Sequence, residues 1–239
     1  MPRNSIPPSS SGSLEALYRR VYRQLRPRSH MPQFWIHFYP YANIDSKIRL
    51  STKGDKITAK ISDLLEGAPS SFQEALAHIL LGKLYRKPIA QKFNRRYRIY
   101  VNSTSIRRQA LVIQRVRGRK PISDPRGLYH HLEELFEELN TRFFHGLLAR
   151  PILSWSRSAS RQSLGHFDPA HNTIVISRIF DRPQVPRFLL EYVLYHEMLH
   201  LKYPAIYRSQ RCLVHTPEFK QQERLFPGYD KVVRQIRQL

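Results

Sequence analysis

The chain has 239 residues, of which 41% are hydrophobic, and a formal net charge of +22 at pH 7. This length allows one large or two small domains with a packed core, and no run reaches the ~18 consecutive apolar residues of a membrane helix. The excess of positive charge favours polyanionic partners, nucleic acid before acidic membrane surfaces or acidic proteins.

The N-terminal residues 1–13 are rich in proline and serine and lack an apolar signal core, so they are predicted to form a flexible tail. We expect an intracellular, cytoplasmic protein without a membrane partner. Cys212 is the single cysteine, which excludes an internal disulfide and predicts a packed or exposed thiol.

The first half is predicted to contain a helix, a strand, a hairpin and a second helix. The first helix ends at Pro27 and has apolar residues at helical spacing with arginines between them: Leu14, Leu17, Tyr18, Val21, Tyr22 and Leu25. Residues 34–39 read as a strand, and residues 48–50 and 57–61 flank Gly54-Asp55 as a hairpin. An apolar helix follows at 72–85.

No acidic residue occurs between Ala75 and Ser123, where thirteen basic residues and four interleaved aromatic residues stand. Arginine neutralises phosphate and aromatic rings can stack on bases, so this stretch predicts sequence-nonspecific DNA contact. The alternative is a solvated basic face with its aromatic rings in the core. The candidate nucleic-acid contacts are Arg86, Lys87, Lys92, Arg95, Arg96, Arg98, Arg107, Arg108, Arg115, Arg117, Arg119 and Lys120. Residues 104–126 are expected to be a basic linker.

The second half repeats the order of the first. Its elements are an amphipathic helix from Leu128 to Phe143, a strand at 152–155, a hairpin of 164–167 with 173–176, and an apolar helix at 188–202. The chain is therefore expected to be a duplication, with a pseudo-repeat at 14–103 and a second domain at 127–239. In that alignment His78 matches His196, Ile79 matches Glu197 and Gly82 matches His200. The first copy should therefore hold no catalytic zinc, and His78 should be a core histidine.

The most informative stretch is His196-Glu197-Met198-Leu199-His200 in the last apolar helix. Histidines four residues apart lie on one face of a helix, where both imidazoles can reach one zinc ion. The glutamate between them can act as general base toward water at the metal. The alternative is a core helix with two capped histidines and a surface glutamate.

A zinc enzyme needs a third protein ligand, and His215 is the leading candidate. It stands directly before Thr216-Pro217-Glu218, which reads as a helix start with Thr216 as cap and Pro217 at the first helical position. Glu218 or Glu223 could instead complete a site of two histidines and one glutamate.

These residues resemble the SprT-like zinc metallopeptidase domain from Gly127 to Leu239. The resemblance is carried by segments 190–200 and 215–219, with support from 139–148, Trp155, 165–167 and 174–177. It implies an α+β, zincin-like fold with a helix, a small antiparallel sheet and the motif helix. It also implies that His196, His200 and His215 bind zinc and that Glu197 is the catalytic base.

The family includes proteases that digest proteins crosslinked to DNA, which agrees with the basic composition. A single cysteine leaves no C-terminal zinc ribbon of the kind that many members carry. We therefore expect a zinc-dependent peptidase that binds DNA and cleaves proteins on it, tethering raising its concentration near substrate. Tyr203, Tyr207, Arg208 and His166 are candidate donors to the transition-state oxyanion. A zinc hydrolase of nucleotides and a non-enzymatic nucleic-acid-binding protein with structural zinc are the alternatives.

Overall fold

The computed structural model of the chain describes residues 11–119 and 121–239. It divides into two compact units, each with its own hydrophobic core. The first unit comprises the described residues up to Gly118 together with Tyr207–Arg211, and the second comprises Arg119–Ile206 and Cys212–Leu239. Both combine helices with a small sheet, so the predicted α+β class is confirmed.

The first unit contains four α-helices and one three-stranded sheet among its described residues. In chain order they are α1 (Ser11–Leu25), β1 (Gln33–Tyr39), β2 (Ser46–Leu50), β3 (Lys56–Ser62), α2 (Ser70–Leu84), α3 (Gln91–Val101) and α4 (Thr104–Arg117). Helix α1 forms because its apolar residues recur every three or four positions and bury one face against the sheet.

The sheet of the first unit has the strand order β1-β3-β2, with β1 parallel and β2 antiparallel to the central strand β3. Alternate residues of β1 and β3 point inward, and Phe34, Ile36, Ile57 and Ile61 are buried in the core with α1 and α2. The opposite face of this sheet is the more exposed one.

The second unit repeats that arrangement and adds C-terminal elements. In chain order these are α5 (Leu132–Phe144), β4 (Ile152–Trp155), β5 (Gly165–Asp168), β6 (Thr173–Ile176), α6 (Arg187–Lys202), α7 (Pro217–Glu223) and α8 (Tyr229–Ile236). Two further short strands, β7 (Ile206–Arg208) and β8 (Arg211–Leu213), pair with each other, and Tyr207–Arg211 within them belong to the first unit.

The second sheet is mixed, so the expectation of an antiparallel sheet is wrong. Its order is β4-β6-β5, in which β4 runs parallel to β6 while β5 and β6 form the antiparallel hairpin. The parallel pair arises because β4 lies beside the far strand of the hairpin, as β1 does in the first sheet. All four residues of the central strand β6 are buried.

Two predicted boundaries need correction. Residues 11–13 of the expected flexible tail begin α1, and residues 1–10 of that tail lie outside the described residues. The expected linker 104–126 contains α4, because Ile106 and Ala110 pack into the first unit and give that helix a buried face. Helix α3 was also absent from the prediction.

The segment before α5 is held by a buried carboxylate rather than by helical structure. Leu128 was expected to begin the helix, but its side chain is 84% exposed and α5 starts at Leu132. The Asp181 carboxylate accepts hydrogen bonds from the backbone N–H groups of Leu128, Tyr129 and His130 at 2.8, 2.9 and 3.2 Å. These hydrogen bonds satisfy three backbone N–H groups without helical structure, so the segment does not have to be part of the helix.

Of the helices in the described ranges, none has both the length and the apolar character needed to cross a bilayer. The thiol of Cys212 is exposed, which is one of the two predicted environments.

Candidate metal centre

Helix α6 supplies two of the candidate ligands and is anchored by the core along most of its length. Leu190, Leu194 and Met198 are fully buried in the second unit. His196 and His200 lie one turn apart, with ring centroids separated by 5.2 Å. A helix packed this firmly fixes both imidazoles relative to each other.

The third histidine is placed by the start of helix α7. The Thr216 side chain accepts a hydrogen bond from the Phe219 N–H at 3.2 Å, with Pro217 in the first turn, so the predicted helix start is confirmed. His215 immediately precedes this cap, and its Nε2 lies 3.2 Å from Nε2 of His196.

The three histidines form one cluster. One potential ligand atom from each of His196, His200 and His215 lies within 4.8 Å of the other two, so the cluster could hold a metal ion. The buried ring of Phe219 lies 4.7–5.1 Å, centroid to centroid, from all three imidazoles and forms an apolar wall behind them. Sequence reasoning did not assign this role to Phe219, although it stands next to the cap motif.

Glu223, one of the two alternative ligands, lies behind His196 instead of within the cluster. Its carboxylate accepts a hydrogen bond from Nδ1 of His196 at 2.6 Å and another from the Tyr192 hydroxyl at 2.9 Å. A carboxylate that binds one ring nitrogen fixes the tautomer and leaves Nε2 with its lone pair. Glu218, the other alternative, is exposed, and its carboxyl interacts with its own backbone and with Thr216.

Burial and the neighbouring imidazoles favour the neutral forms of His200 and His215. The pKa of His200 is lowered to about 4, first by burial and then by the neighbouring His196 and His215. Burial also lowers the pKa of His215. Burial alone would raise the pKa of Glu223, but hydrogen bonds from His196 and Tyr192 lower it on balance. Neutral imidazoles beside an ionised carboxylate form a set of donors suited to zinc.

Glu197 is 5% exposed, and its side chain extends from α6 toward strand β5. Burial raises its pKa to about 7, while His196 and a hydrogen bond from the Phe167 backbone oppose that rise. A Cβ atom at Gly165 would stand 2.8 Å from Oε1 of Glu197, so only glycine leaves room for this carboxylate. The motif therefore places a desolvated carboxylate beside the histidines rather than a surface glutamate.

The candidate oxyanion donors occupy different elements. Tyr203 is half-buried at the end of α6, His166 is on strand β5, which packs against α6, and Tyr207 and Arg208 are exposed on β7. The geometry does not single out one of them.

In the first unit, apolar side chains fill the corresponding part of α2. His78 stacks on Phe93 with ring centroids 3.8 Å apart, and Ile79 is buried with Phe93 and Ala75. A Cβ atom at Gly82 would stand 2.7 Å from Cγ1 of Ile89, so a larger residue has no room there without a shift of that side chain.

The predicted nucleic-acid residues lie on and around α3 and α4, and most of them are exposed. Arg107 is half-buried, Lys120 lies outside the described residues, and two of the exposed arginines form ion pairs, Arg96 with Glu74 at 3.5 Å and Arg117 with Asp63 at 2.8 Å.

The aromatic residues of the same stretch pack against other rings of the first unit. Phe93 is buried, while Tyr97 and Tyr100 pack on Phe72 with ring centroids 5.6 and 4.4 Å apart. Tyr85 packs on Tyr22 at 5.7 Å. Helical spacing turns these rings toward the core, as in the alternative of a basic face with core rings, and base stacking by this stretch stays a prediction.

Comparison with known proteins agrees with the geometry of the second unit. Residues 132–229 match the model of the SprT-like family, and this segment contains the motif helix, His215 and Glu223. Neither the curated proteins nor the solved structures contain a match to the chain.

Proposed function

We propose that this chain, which carries a SprT-like family domain at residues 132–229, is a zinc-dependent metallopeptidase. The observation that supports the proposal is the convergence of three imidazoles beside one buried carboxylate, that of Glu197. A purely structural zinc site is usually closed by four protein ligands and needs no adjacent base. Three histidines leave a coordination position for water or substrate, as catalytic zinc sites do.

The residues present fit a zinc ion. His196, His200 and His215 would hold it through neutral imidazole nitrogens, and Glu223 would keep the His196 ring in the required orientation. Zinc held in this way supplies Lewis-acid activation of water and of a carbonyl group.

Glu197 is proposed to move the proton that peptide hydrolysis requires. Its carboxylate accepts a proton from the attacking water and then donates it to the amine of the departing peptide. Gly165 and the Phe167 backbone hold this side chain against β5, so it cannot swing freely into solvent. Its position in the sequence, next to His196, keeps it within reach of the cluster.

Strand β5 offers a site for an extended substrate segment. It is an edge strand, because in the order β4-β6-β5 it pairs on one side only, and it packs against α6. An extended peptide can add to such an edge through backbone hydrogen bonds, which suits an enzyme that accepts many sequences. The proposed substrates are therefore flexible or unfolded protein segments.

The proposed substrates are proteins associated with DNA in the cytoplasm. The support is the net charge of +22 and the exposed basic residues of α3 and α4, which suit sequence-nonspecific contact with phosphate. Binding to DNA would bring the peptidase close to proteins on the same polymer.

We interpret the two units as a duplication with a degenerate first copy. Both have a helix, a strand, a hairpin and a helix in the same order, and both sheets place the first strand parallel to the third. In the first copy Ile79 and Gly82 stand at the positions that match Glu197 and His200, and Ile89 packs against Gly82. Catalysis is accordingly proposed for the second unit alone.

Glu197→Gln tests the mechanism. Because the amide cannot accept the proton, we expect zinc content to remain at the wild-type level and peptide cleavage to fall by about 10²- to 10⁴-fold. Cleavage would be measured with an unfolded protein substrate, and metal content by elemental analysis.

Glu191→Gln is the matched control, since Glu191 lies on the same helix and pairs with Arg187 at 2.9 Å. It should retain normal cleavage. Undiminished proteolysis by Glu197→Gln would refute the mechanism. A zinc-loaded wild type that hydrolyses nucleotides and no protein would favour the alternative hydrolase.

A further inference from the structure

The outer face of the first sheet combines exposed aromatic rings with positive charge. On strand β1 the side chains of Trp35, His37 and Tyr39 point away from the core, and Trp35 and Tyr39 are 55% and 41% exposed. The inner face already buries the apolar residues that this unit needs for stability. Two large rings in solvent therefore have no role in the packing of this core.

Cations lie directly over these rings. The Lys56 ammonium is 3.4 Å from the centroid of Trp35, the Lys60 ammonium is 4.8 Å from that of Tyr39, and the Lys47 ammonium is 5.3 Å from that of Tyr41. Parallel and antiparallel pairing brings these residues together, because His37 is opposite Lys60 on β3, which is opposite Lys47 on β2. We call Trp35, Tyr39, Lys47, Lys56 and Lys60 the aromatic–lysine face.

The face carries little compensating negative charge. Among the described strand residues that point outward, none is acidic, while Arg49 adds a further cation on β2. Asp45, in the turn before β2, forms an ion pair with the Lys47 ammonium at 3.4 Å. Lys56 and Lys60 are therefore available to a ligand that brings its own negative charge.

A depression of about 270 Å³ marks the end of the face near Tyr39. Its lining consists of Tyr39, Tyr41, Lys47, Arg49, Thr58 and Lys60. The rings of Tyr39 and Tyr41 contact each other with centroids 4.7 Å apart and form one wall of it. Two hydroxyphenyl rings beside three cations make a recess that suits a planar ring attached to an anionic group.

The basic residues of helix α4 continue from this end of the face. Arg117 donates hydrogen bonds to the Tyr41 carbonyl at 3.3 Å and to the Asp63 carboxylate at 2.8 Å. The C-terminal turn of α4, with Arg115 exposed, is thereby held next to Tyr41. Positive charge extends from the sheet onto the helix within the same unit.

We propose that the aromatic–lysine face binds single-stranded DNA. Aromatic rings stack on unpaired bases of any sequence, and interleaved lysines neutralise the phosphates between them. Trp35 and Tyr39 lie four residues apart on one strand, which separates them by about 13 Å along it. That spacing provides two stacking positions for one extended polynucleotide strand.

The exposed rings favour single-stranded DNA over duplex DNA as the ligand. Bases in a duplex are stacked on each other and present only their edges in the grooves, so an exposed indole gains nothing from them. An acidic protein segment would satisfy the lysines but would leave the rings without planar partners. The choice of DNA over RNA rests on the proposed function, in which the substrates are proteins on DNA.

The lysines already over the rings do not prevent this binding. A cation–π contact at an exposed site is weaker than the stacking of a base on the same ring. On binding, each ammonium can move from the ring to a nearby phosphate, and it remains paired throughout.

The test measures binding of a fluorescently labelled mixed-sequence single strand to the full chain, as anisotropy, with no protein substrate present. Trp35→Ala should weaken binding by about 5- to 100-fold, the range for loss of one base–aromatic stack. Trp35→Phe keeps a ring and should retain most of the affinity. Lys60→Gln should lower the slope of log affinity against log salt by about 0.7, and Trp35→Ala should leave that slope unchanged.

Intrinsic fluorescence gives an independent readout. The chain has two tryptophans, and Trp155 is buried with 1% exposure, so quenching by an added single strand should come from Trp35. Quenching should disappear in Trp35→Phe, although that variant still binds. Tyr129→Ala, which removes an exposed ring from the second unit, is the control and should bind as wild type does.

Three results would overturn the proposal. They are unchanged affinity in the variant Trp35→Ala, a duplex of the same sequence bound as tightly as the single strand, and tighter binding of the matching RNA.

The test of this DNA-binding face and the test of the proposed peptidase can succeed or fail independently. DNA binding that depends on Trp35 in a chain without Glu197-dependent cleavage would support the face and refute the peptidase. The converse would leave the peptidase intact without this DNA site. If both hold, added single-stranded DNA should stimulate cleavage by wild type more than by Trp35→Ala.

Discussion

Helices α2 and α6 occupy the same place in two similarly connected units. Helix α6 contains a potential metal site, whereas the matching part of α2 is covered by an apolar plug, which we define as the Phe93 ring and the Ile89 side chain. In α6 a half-buried edge carries His196 and His200, and His215 joins them from just before the start of α7. In α2 the matching positions are His78 and Gly82, which are covered by the Phe93 ring and the Ile89 side chain. The difference lies in the segment after each helix, which supplies either a third ligand or a hydrophobic cover.

The outward faces of the two sheets also differ in exposure, and here the first unit is the more open one. In the second sheet the outward pair Ser154 and Val175 is buried, and the Ser154 hydroxyl accepts a hydrogen bond from the Ser123 N–H at 2.8 Å. In the first sheet the outward pair His37 and Lys60 is exposed. In the unit with the ligand cluster this outward pair is thus covered, although His166, opposite Val175 on β5, is exposed. In the other unit the outward face of the sheet is open and charged. This contrast fits the proposals that the second unit is the peptidase and that the first unit binds DNA.

Among the changes that test this comparison, we expect the largest effect on the metal content of the protein. We expect about one zinc per wild-type chain, as for other catalytic sites with three protein ligands, and almost none in His200→Ala. His78→Ala, the change at the matching position of α2, should leave metal content unchanged. Elemental analysis of the purified proteins checks both. Loss of metal in His78→Ala would mean that the first unit takes part in the site.

A smaller effect is expected from Glu223→Gln. The amide can still accept a hydrogen bond but lacks the charge that orients and polarises His196, so zinc affinity should fall by about 10- to 100-fold. Competition with a chromogenic chelator measures this affinity.

Glu218→Gln is the comparison for Glu223→Gln, since Glu218 is exposed and was the other alternative ligand. It should bind zinc as wild type does. An equal loss of zinc affinity in Glu218→Gln and Glu223→Gln would contradict the arrangement in which Glu223 alone supports His196.

The smallest effect concerns the plug in the first unit. Gly82→Ala places a methyl group 2.7 Å from Cγ1 of Ile89, and overpacking of this kind costs about 1–3 kcal/mol. The gain in helix propensity offsets about 1 kcal/mol of that cost. The free energy of unfolding should therefore fall by about 1 kcal/mol in urea titrations.

Gly67→Ala is the control for Gly82→Ala, because nothing lies within 4 Å of its added Cβ atom. It should not destabilise the chain. Ile89→Ala should reduce the cost of Gly82→Ala when the two changes are combined, since the methyl group would then have room. If Gly82→Ala stabilised the unit, the plug would be looser than the contacts indicate.

Several elements were predictable because they depend on short-range patterns. The motif helix, the Thr216 cap and the two hairpins follow from helical spacing, a capping sequence and Gly54-Asp55 or Asp168-Pro169 between strands. Helices α3 and α4 were missed even though Phe93, Tyr97 and Tyr100 have helical spacing. Their dense arginines are equally typical of a nucleic-acid-binding segment, so this periodicity did not by itself predict helices.

The sequence by itself determined the α+β class, the pairing of His196 with His200 and the excess of positive charge, since these depend on residue type and local spacing. Tertiary structure alone decided that Glu223 supports His196, that Ile89 fills the space beside Gly82 and that Trp35 faces solvent beside Lys56. Each of these results joins side chains from different elements. Whether a ring is buried or exposed depends on which face of a strand or helix meets the core, and that is fixed only when the elements pack together.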